Sequence, residues 1–400
     1  MRLQRAPASR VKRLSNRVSR GILFVSYAEH PGAFGLSRRI AGLQSALSQS
    51  GIPSVVLCPV SRGTEKPDDR IADLGLAFLG SLWNSSLGRM VALLVFSFVA
   101  IPSIMGLSSR RGLIIQYESL YSAFPAIVAK ILLRKRVIGD EVILMSRDTR
   151  SPLRYVLHAL DRFLIRMTDY ITTSSSSTDT LVRKWFPNKP ISIVPNGVAQ
   201  IERESPGPRD VHELIFVGSL SSPDNRIAVE NVLTLAQLLE RKGIRFHICV
   251  VGGPWSYAVP YLRNEMVRRG RVTFKGTIHD HELQELYRRT SIGLLPFFTP
   301  SYGGQRIKGL EYLAHELLVI SGPFGFGWLP EIESGTQYLE ATNLEEMSDL
   351  VAGFVSSPAA YSRIAAAGRE LIQRRFSWEV VSRPYLDVVV GLMESSRSTG

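Results

Sequence analysis

The chain has 400 residues, 45% hydrophobic and 21% charged, a composition that excludes a largely disordered protein and a length that exceeds what one hydrophobic core usually supports. Lys and Arg number 48 against 35 Asp and Glu, a formal net charge of +13. No aromatic-interleaved basic pattern accompanies that charge, so a nucleic-acid-binding protein is not favoured. The length predicts two domains, and the alternation of strand-like and helical stretches predicts the α/β class.

Residues 1–20 form a basic arm, because seven Lys and Arg precede the first acidic residue, Glu29. Val11, Leu14 and Val18 recur at helical spacing among those cations. Such a segment either lies on an anionic membrane surface, which attracts basic residues by about 1 kcal/mol each, or remains a solvated tail. Both roles are open for the arm.

The cysteines and one apolar segment bear on the compartment. Cys58 and Cys249 lie in apolar runs of different halves, so no disulfide framework is implied and a reducing cytoplasm fits. No secretory signal opens the sequence, which argues against export. Segment 90–107 is near the minimum length for a bilayer span, but polar and helix-breaking residues interrupt it, so a buried or interfacial helix is predicted before a span. The predicted location is cytoplasmic, with the inner face of the plasma membrane as a peripheral site.

The first half alternates short apolar runs with amphipathic stretches. Segment 21–27 has the density of a buried strand, segment 36–47 carries one apolar helical stripe, and segment 53–59 is a second strand. This βαβ unit predicts a parallel sheet with helices on its faces. Further strands of the series are predicted at 112–117, 136–141, 169–176 and 191–198.

The second half repeats the pattern after a polar, Pro- and Gly-rich segment, 199–212, which is predicted to be the linker. Strands are predicted at 214–220, 246–253, 272–278, 291–297 and 317–322. The predicted domains are 21–198 and 213–377, followed by a C-terminal segment, 378–400. Two doubly wound, Rossmann-like units of this kind leave a cleft and bind ligands beyond the carboxyl ends of their strands.

The sequence GGQRIKGLE, residues 303–311, lies between a predicted strand and a helix. A helix start offers unpaired N–H groups and the positive end of the dipole, glycines allow close approach, and Arg306 and Lys308 add cations, so a phosphate site is predicted. Glu311, one turn inside, is suited to accept hydrogen bonds from ribose hydroxyls. The structural alternative is a surface pair between Lys308 and Glu311 beside a glycine turn.

Six motifs follow one another in a characteristic order: SIVPNGV, LIFVGSL, HICVVGG, VTFKGTIHDHELQELY, GGQRIKGLEYLA and RFSWEVV. Their order resembles that of the family 4 retaining glycosyltransferases of the GT-B class, over nearly all of the chain after the arm. The resemblance implies two Rossmann-like domains facing across a cleft, with a final helix that crosses back to the N-terminal domain. It also implies transfer of a sugar from a nucleotide diphosphate sugar to a glycan or lipid-linked acceptor with retention, in cell-surface polysaccharide or glycolipid assembly.

The resemblance assigns Arg306 and Lys308 to the charge that develops on the diphosphate, and needs no cofactor beyond the nucleotide sugar as co-substrate. It implies these donor-binding residues: Gly35, Gly218, Ser219, Thr277, Ile278, Gly303, Gly304, Gln305 and Glu311. Gly303 stands where the family often has a glutamate, and the sequence is similar instead to a branch with GG-x-R-x-K-x-L-E. Ser219 stands where the family usually has an arginine. Because of these departures, a noncatalytic nucleotide-sugar-binding protein remains an alternative. A GT-B-like nucleotide-sugar epimerase, an enzyme of another class with the same fold, is a further alternative.

In the N-terminal domain, the loop HPGAFGLS is similar to the glycine-bearing first loop of the family, where Gly32 and Gly35 admit the donor diphosphate or the acceptor. A simple βα turn is the alternative. Asp140 and Glu141 end a predicted strand and are interpreted as contacts to an acceptor hydroxyl, with a capping or salt-bridge role equally open.

A metal site is not predicted. The cluster HDHE at 279–282 contains metal-ligating residue types, but Asp280 is interpreted as a helix N-cap and no third ligand cluster accompanies it. No Asp-x-Asp motif follows a strand, so activity without a divalent cation is expected.

Overall fold

The computed structural model describes residues 21–27, 30, 35–59, 70–76, 86–108, 113–118, 120–140, 153–174, 176–199, 201, 209–300, 306–326, 329 and 331–398. The chain divides into two compact units. The first unit consists of two segments of the chain, one up to Pro195 and one from Val381 onward. The second unit is Asn196–Val380.

The first unit is built on a parallel sheet. Its described strands are β1 (Gly21–Val25), β2 (Ser54–Cys58), β3 (Ile71–Asp73), β4 (Leu113–Tyr117), β5 (Val137–Asp140), β6 (Tyr170–Thr173) and β7 (Ile191–Ile193). Their spatial order is β3-β2-β1-β4-β5-β6-β7. Every residue of β1, β2, β4 and β5 is buried, as expected for strands covered by helices on both faces.

Helices pack against this sheet and complete the first core. The described ones that precede the second unit are α1 (Gly35–Gln49), α2 (Ser86–Ser108), α3 (Leu120–Leu133), α4 (Leu153–Met167) and α5 (Ser176–Trp185). Phe96 of α2, Ile127 of α3 and Leu164 of α4 lie in the same apolar cluster as Leu23 and Ile115 of the strands. None of the described helices combines the length and hydropathy needed to cross a bilayer.

The second unit contains another parallel sheet. Its described strands are β8 (Asp210–Val217), β9 (His247–Val251), β10 (Val272–Gly276), β11 (Thr290–Leu295), β12 (Leu318–Ser321) and β13 (Leu339–Glu340), in the order β10-β9-β8-β11-β12-β13. The sequence direction of this order reverses between β8 and β11. In open α/β sheets such a reversal is where ligands bind.

The described helices of the second unit are α6 (Pro223–Arg241), α7 (Glu265–Arg268), α8 (Asp280–Arg289), α9 (Ile307–Ala314), α10 (Leu344–Ser356) and α11 (Ser362–Arg375). The short helix α12 (Trp378–Val381) spans the end of this unit. α6 begins at Pro223, because a proline at the first helical position costs no hydrogen bond. One helix start differs from the prediction. The N-cap of α8 is His279 rather than Asp280, and its amide donates to the Glu282 side chain over 3.0 Å.

The last helix, α13 (Arg383–Ser398), belongs to the first unit. The hydroxyl of Tyr385 donates a 2.6 Å hydrogen bond to the side-chain oxygen of Gln116 at the end of β4, and both side chains are buried. The chain therefore crosses back to the N-terminal unit, as predicted. The predictions of two Rossmann-like units with parallel sheets are likewise confirmed.

Candidate active site

The turn after β8 lies at the carboxyl end of the second sheet, where its backbone is packed closely. The carbonyl oxygen of Gly218 would lie 1.9 Å from a Cβ atom at Gly252, whose φ is +144°. Only glycine fits that conformation at that distance. Asn225, in the first turn of α6, donates from its side-chain nitrogen to the carbonyl of Ser219 over 2.9 Å. The loop that carries Gly218 and Ser219 is thereby held against both β9 and α6.

Lys308 projects from the first turn of α9 toward this loop. Its ammonium group donates to the side-chain oxygen of Asn225 over 2.7 Å. The same nitrogen lies 4.6 Å from the ring centroid of Phe216 and 5.0 Å from that of Phe297. A side chain at Gly218 would begin 2.7 Å from it. The ammonium group of Lys308 therefore occupies space that is available only because residue 218 is a glycine without a side chain.

Arg306 is the N-cap of α9. Its guanidinium carbon lies 3.4 Å from the ring centroid of Phe297, and its Nε donates to the carbonyl oxygen of Phe324 over 3.3 Å. Stacking on an aromatic face orients a guanidinium without neutralising it. Arg306 and Lys308 therefore share one aromatic side chain, Phe297, just beyond the end of β11.

Electrostatics at this place favour an anion. The pKa of Lys308 is lowered well below its ordinary range, chiefly because burial desolvates the ammonium and then because Arg306 carries like charge, with Asp224 offsetting part of the effect. Desolvation likewise lowers the pKa of Arg306 to about 10, again against the influence of Asp224. An anionic ligand would relieve the repulsion between the two cations and restore favourable interactions for both.

Glu311 lies one turn further along α9. One of its carboxylate oxygens accepts a 3.1 Å hydrogen bond from the hydroxyl of Tyr287 on α8. The Tyr287 ring is held edge-on against that of Tyr312, with centroids 5.9 Å apart. A tyrosine of a neighbouring helix therefore bonds to Glu311, while the ammonium group of Lys308 bonds to Asn225.

Thr277 and Ile278 follow β10 at the same edge of the sheet. A side chain at Gly253, in the loop after β9, would begin 2.3 Å from Oγ1 of Thr277. Thr277 is exposed and Ile278 is half-buried. Since all these strands are parallel, the segments that carry Gly218, Thr277 and Lys308 meet at one edge of one sheet.

Several of the predicted site residues lie outside the described residues. They are Gly32, Glu141, Gly303, Gly304 and Gln305. Gly35 is described, as the exposed first residue of α1. The roles predicted for these six residues stay predictions.

Asp140 differs from its predicted role as a contact to the acceptor. It is completely buried, and its two carboxylate oxygens each accept a 2.8 Å hydrogen bond from the guanidinium of Arg39, with Thr172 donating to one of them over 2.6 Å. Arg39 also donates to the carbonyl of Val194 over 2.8 Å. The salt-bridge alternative is the arrangement observed, because a buried carboxylate requires a paired cation. No surface of Asp140 is left for a ligand.

Sequence reasoning missed the groups that position the predicted ones. The ring of Phe297 contacts both Arg306 and Lys308, and the ring of Phe216 contacts Lys308. The hydroxyl of Tyr287 donates a hydrogen bond to Glu311. The only sequence signal for Phe297 is its place at the end of the predicted strand 291–297, which also suits an ordinary core residue. In the part of the chain that the structure describes, no three His, Cys, Asp or Glu side chains are grouped so as to hold a metal ion.

The part of the chain that carries this geometry is similar to known glycosyltransferases. Residues 211–357 match the family model described as Glycosyl transferases group 1, a span that runs from β8 to the end of α10. No curated protein matches the sequence of the chain.

Solved structures share the fold over nearly the whole chain. Sucrose-phosphate synthase from Thermosynechococcus elongatus superposes with a TM-score of 0.74 at 16% identity, over 94% of this chain and 100% of that one. TarM, known from S. aureus, gives 0.71 at 10% identity, over 92% and 98%. HepE from Anabaena, in complex with UDP-glucose, gives 0.65 at 14% identity, over 93% and 99%. The fold is that of the GT-B glycosyltransferases, which confirms the predicted fold class.

Proposed function

We propose that this protein is a retaining glycosyltransferase that moves a sugar from a nucleotide diphosphate sugar to a hydroxyl of a glycan or lipid-linked acceptor. The observation that carries the proposal is the pair of Arg306 and Lys308, stacked on Phe297 where the order of the second sheet reverses. The match of residues 211–357 to a glycosyltransferase model covers this pair.

In this mechanism, the two cations stabilise the departing diphosphate. Breaking the bond between the anomeric carbon and the phosphate oxygen leaves negative charge on the diphosphate, and preorganised cations in a partly desolvated site stabilise such charge strongly. Arg306 and Lys308 are already oriented by Phe297 and Asn225, so little reorganisation is needed during the reaction. They supply this stabilisation without a divalent cation.

Other residues at the same edge position the donor. Glu311, held by Tyr287, accepts hydrogen bonds from the ribose hydroxyls, and main-chain groups at Thr277 and Ile278 contact the base. The turn at Gly218 and Ser219 admits the diphosphate, together with Gly303, Gly304 and Gln305. HepE has been solved with UDP and with UDP-glucose, so uridine nucleotides are the first donors to test.

Transfer with retention proceeds on one face of the sugar. The acceptor oxygen forms a bond to the anomeric carbon while the bond from that carbon to the diphosphate oxygen breaks. The acceptor proton passes to an oxygen of the leaving diphosphate, so charges and atoms balance. Gly32, Gly35 and Glu141 remain the proposed contacts near the diphosphate and acceptor. A point mutant of TarM has been solved with fondaparinux, α-GlcNAc-glycerol and UDP, which supports testing glycan acceptors.

The experiment compares Arg306→Ala with Arg268→Ala, an exposed arginine of the same unit. Purified protein is incubated with UDP-sugars and a panel of glycan acceptors, and released UDP and glycosylated product are measured. Arg306→Ala should lower kcat by about a hundredfold or more, whereas Arg268→Ala should not change it. Undiminished transfer by Arg306→Ala would contradict the proposal. Epimer formation from donor alone would identify an epimerase, and tight UDP binding with no turnover would identify a binding protein.

A further inference from the structure

Three neighbouring helices of the first unit expose large apolar side chains. α3 lies between α2 and α4 and packs against both. Exposed residues that define this surface, here called the apolar face, are Leu94 and Phe98 on α2, Phe124 and Ile131 on α3, and Val156 and Phe163 on α4.

The apolar face is additional to the side that each helix buries. On α2, Phe96 and Ile104 are in the core while Phe98 is 75% exposed. Leu94, Phe98 and Met105 are exposed at intervals of four and seven residues, the spacing of a single helical stripe. A helix that only covers a sheet needs one apolar stripe. A second stripe, repeated on adjacent helices, marks an interaction surface.

The exposed charged side chains described on α2, α3 and α4 have one sign. Across the sequences of α2, α3 and α4 the single acidic residue is Asp161, and it is completely buried. Arg154, Arg162 and Arg166 of α4 are exposed. The surface therefore presents apolar side chains and cations together. An anionic bilayer matches both, since acyl chains accept the apolar groups and headgroups attract the arginines.

A second copy of this chain is a poorer match. A two-fold interface brings the same surface of both copies together, and here it would place arginine rims against each other. Like charges across an interface disfavour association. The charge pattern therefore selects lipid over self-association.

We propose that the apolar face docks this protein onto the surface of membranes that contain anionic lipids. Phe98 and its apolar neighbours enter the boundary between headgroups and acyl chains, and the arginines of α4 bind at the headgroups. This inference does not depend on the proposed function. The basic arm, residues 1–20, is a separate sequence signal for the same kind of surface, and it is kept unchanged in every variant below.

The first test measures binding of the full chain to vesicles of phosphatidylcholine with and without phosphatidylglycerol. The double variant Leu94→Ser/Phe98→Ser should lower partitioning onto the mixed vesicles by about tenfold or more, because two large apolar side chains no longer enter the interface. The control is Ile227→Ser/Val259→Ser in the second unit, where the side chains are 44% and 51% exposed. The control should bind as the unaltered protein does.

The second test removes charge from the rim. Arg154→Ala, Arg162→Ala and Arg166→Ala should each lower partitioning by about fivefold on vesicles with phosphatidylglycerol, and far less on vesicles without it. An unchanged Tm and an unchanged far-UV circular dichroism spectrum show that each variant is folded. Equal partitioning of the double apolar variant and the unaltered protein would overturn the proposal. A second result would also overturn it: light scattering shows a dimer for the unaltered protein and a monomer for the double apolar variant, and the unaltered protein does not bind vesicles.

Discussion

Lys308 and Asn225 are joined by a 2.7 Å hydrogen bond across 83 residues of sequence. Lys308 is in the helix that follows β11, and Asn225 is in the helix that follows β8. These are the two strands between which the order of the second sheet reverses. The bond therefore links the two loops that bound the proposed diphosphate site, and the amide of Asn225 orients the ammonium without neutralising it.

Gly218→Ala should weaken UDP binding by about tenfold or more, the loss expected when a hydrogen bond to a charged group is broken. The new Cβ would lie 2.7 Å from Nζ of Lys308 and 2.8 Å from Cγ of Asn225, so both side chains must move. Isothermal titration calorimetry with UDP measures the effect. Gly391→Ala, where a Cβ meets nothing within 4 Å, is the matched control. Equal affinity in the two variants would argue against a role for Lys308 in binding.

UDP affinity should fall as pH rises, beginning below the ordinary lysine pKa of 10.5. The pKa of Lys308 is lowered in the free protein, and bound diphosphate favours its charged form. Above that lowered pKa, binding must therefore take up a proton, and affinity declines as protons become scarce. Calorimetry in buffers of different ionisation enthalpy detects the uptake. Lys308→Met should bind UDP weakly with a flatter pH profile, and a wild-type profile that is flat up to pH 10 would contradict this assignment.

Acid should destabilise the second unit through His315. Burial, and then the charges of Arg209, Arg369 and Arg288, lower the pKa of this buried histidine to about 3. In the unfolded chain the histidine becomes protonated as pH falls below about 6.5, whereas in the folded chain it stays neutral until pH is near 3. Protonation therefore favours the unfolded chain, and the free energy of unfolding decreases as pH falls from 6.5 toward 3. The loss is roughly 3 kcal/mol between pH 7 and pH 4. Urea unfolding of His315→Leu should show a correspondingly weaker dependence over this range, and an unchanged dependence would assign the acid sensitivity elsewhere.

A rise in pH from 4.5 to 8 should destabilise the first unit through Glu118. Burial raises the pKa of this carboxyl to about 8, with Asp140 adding to the rise and Ser26 and Arg39 opposing it. Between pH 4.5 and 8 the folded chain keeps a proton that the unfolded chain releases, so stability falls as pH rises.

Glu118→Gln keeps the shape of the side chain and removes its titration. Its free energy of unfolding should depend less on pH over the same interval and should exceed that of the unaltered protein at pH 8. Chemical denaturation at pH 5 and pH 8 checks both. A pH dependence identical to that of the unaltered protein would show that Glu118 is not the group responsible.

Strands were predictable where buried apolar runs are dense. The predicted strands at 21–27, 112–117 and 291–297 overlap the observed strands Gly21–Val25, Leu113–Tyr117 and Thr290–Leu295, because a parallel strand covered on both faces needs apolar residues on both. The short strand Ile71–Asp73 was not predicted, since three residues carry too little pattern and pairing with β2 supplies their order. The apolar segment 90–107 lies within α2, as the interfacial or buried helix that was predicted in preference to a span.

The sequence by itself determined the repeated strand and helix pattern, the parallel sheets, and the motif that brings Arg306, Lys308 and Glu311 into one helix start, because periodicity and short spacing are local properties. Tertiary structure alone decided the partners. Asp140 bonds to Arg39 across 101 residues, Lys308 bonds to Asn225, and Arg306 stacks on Phe297. Such pairs depend on which strand ends meet at one edge of a sheet, and that is fixed by long-range packing.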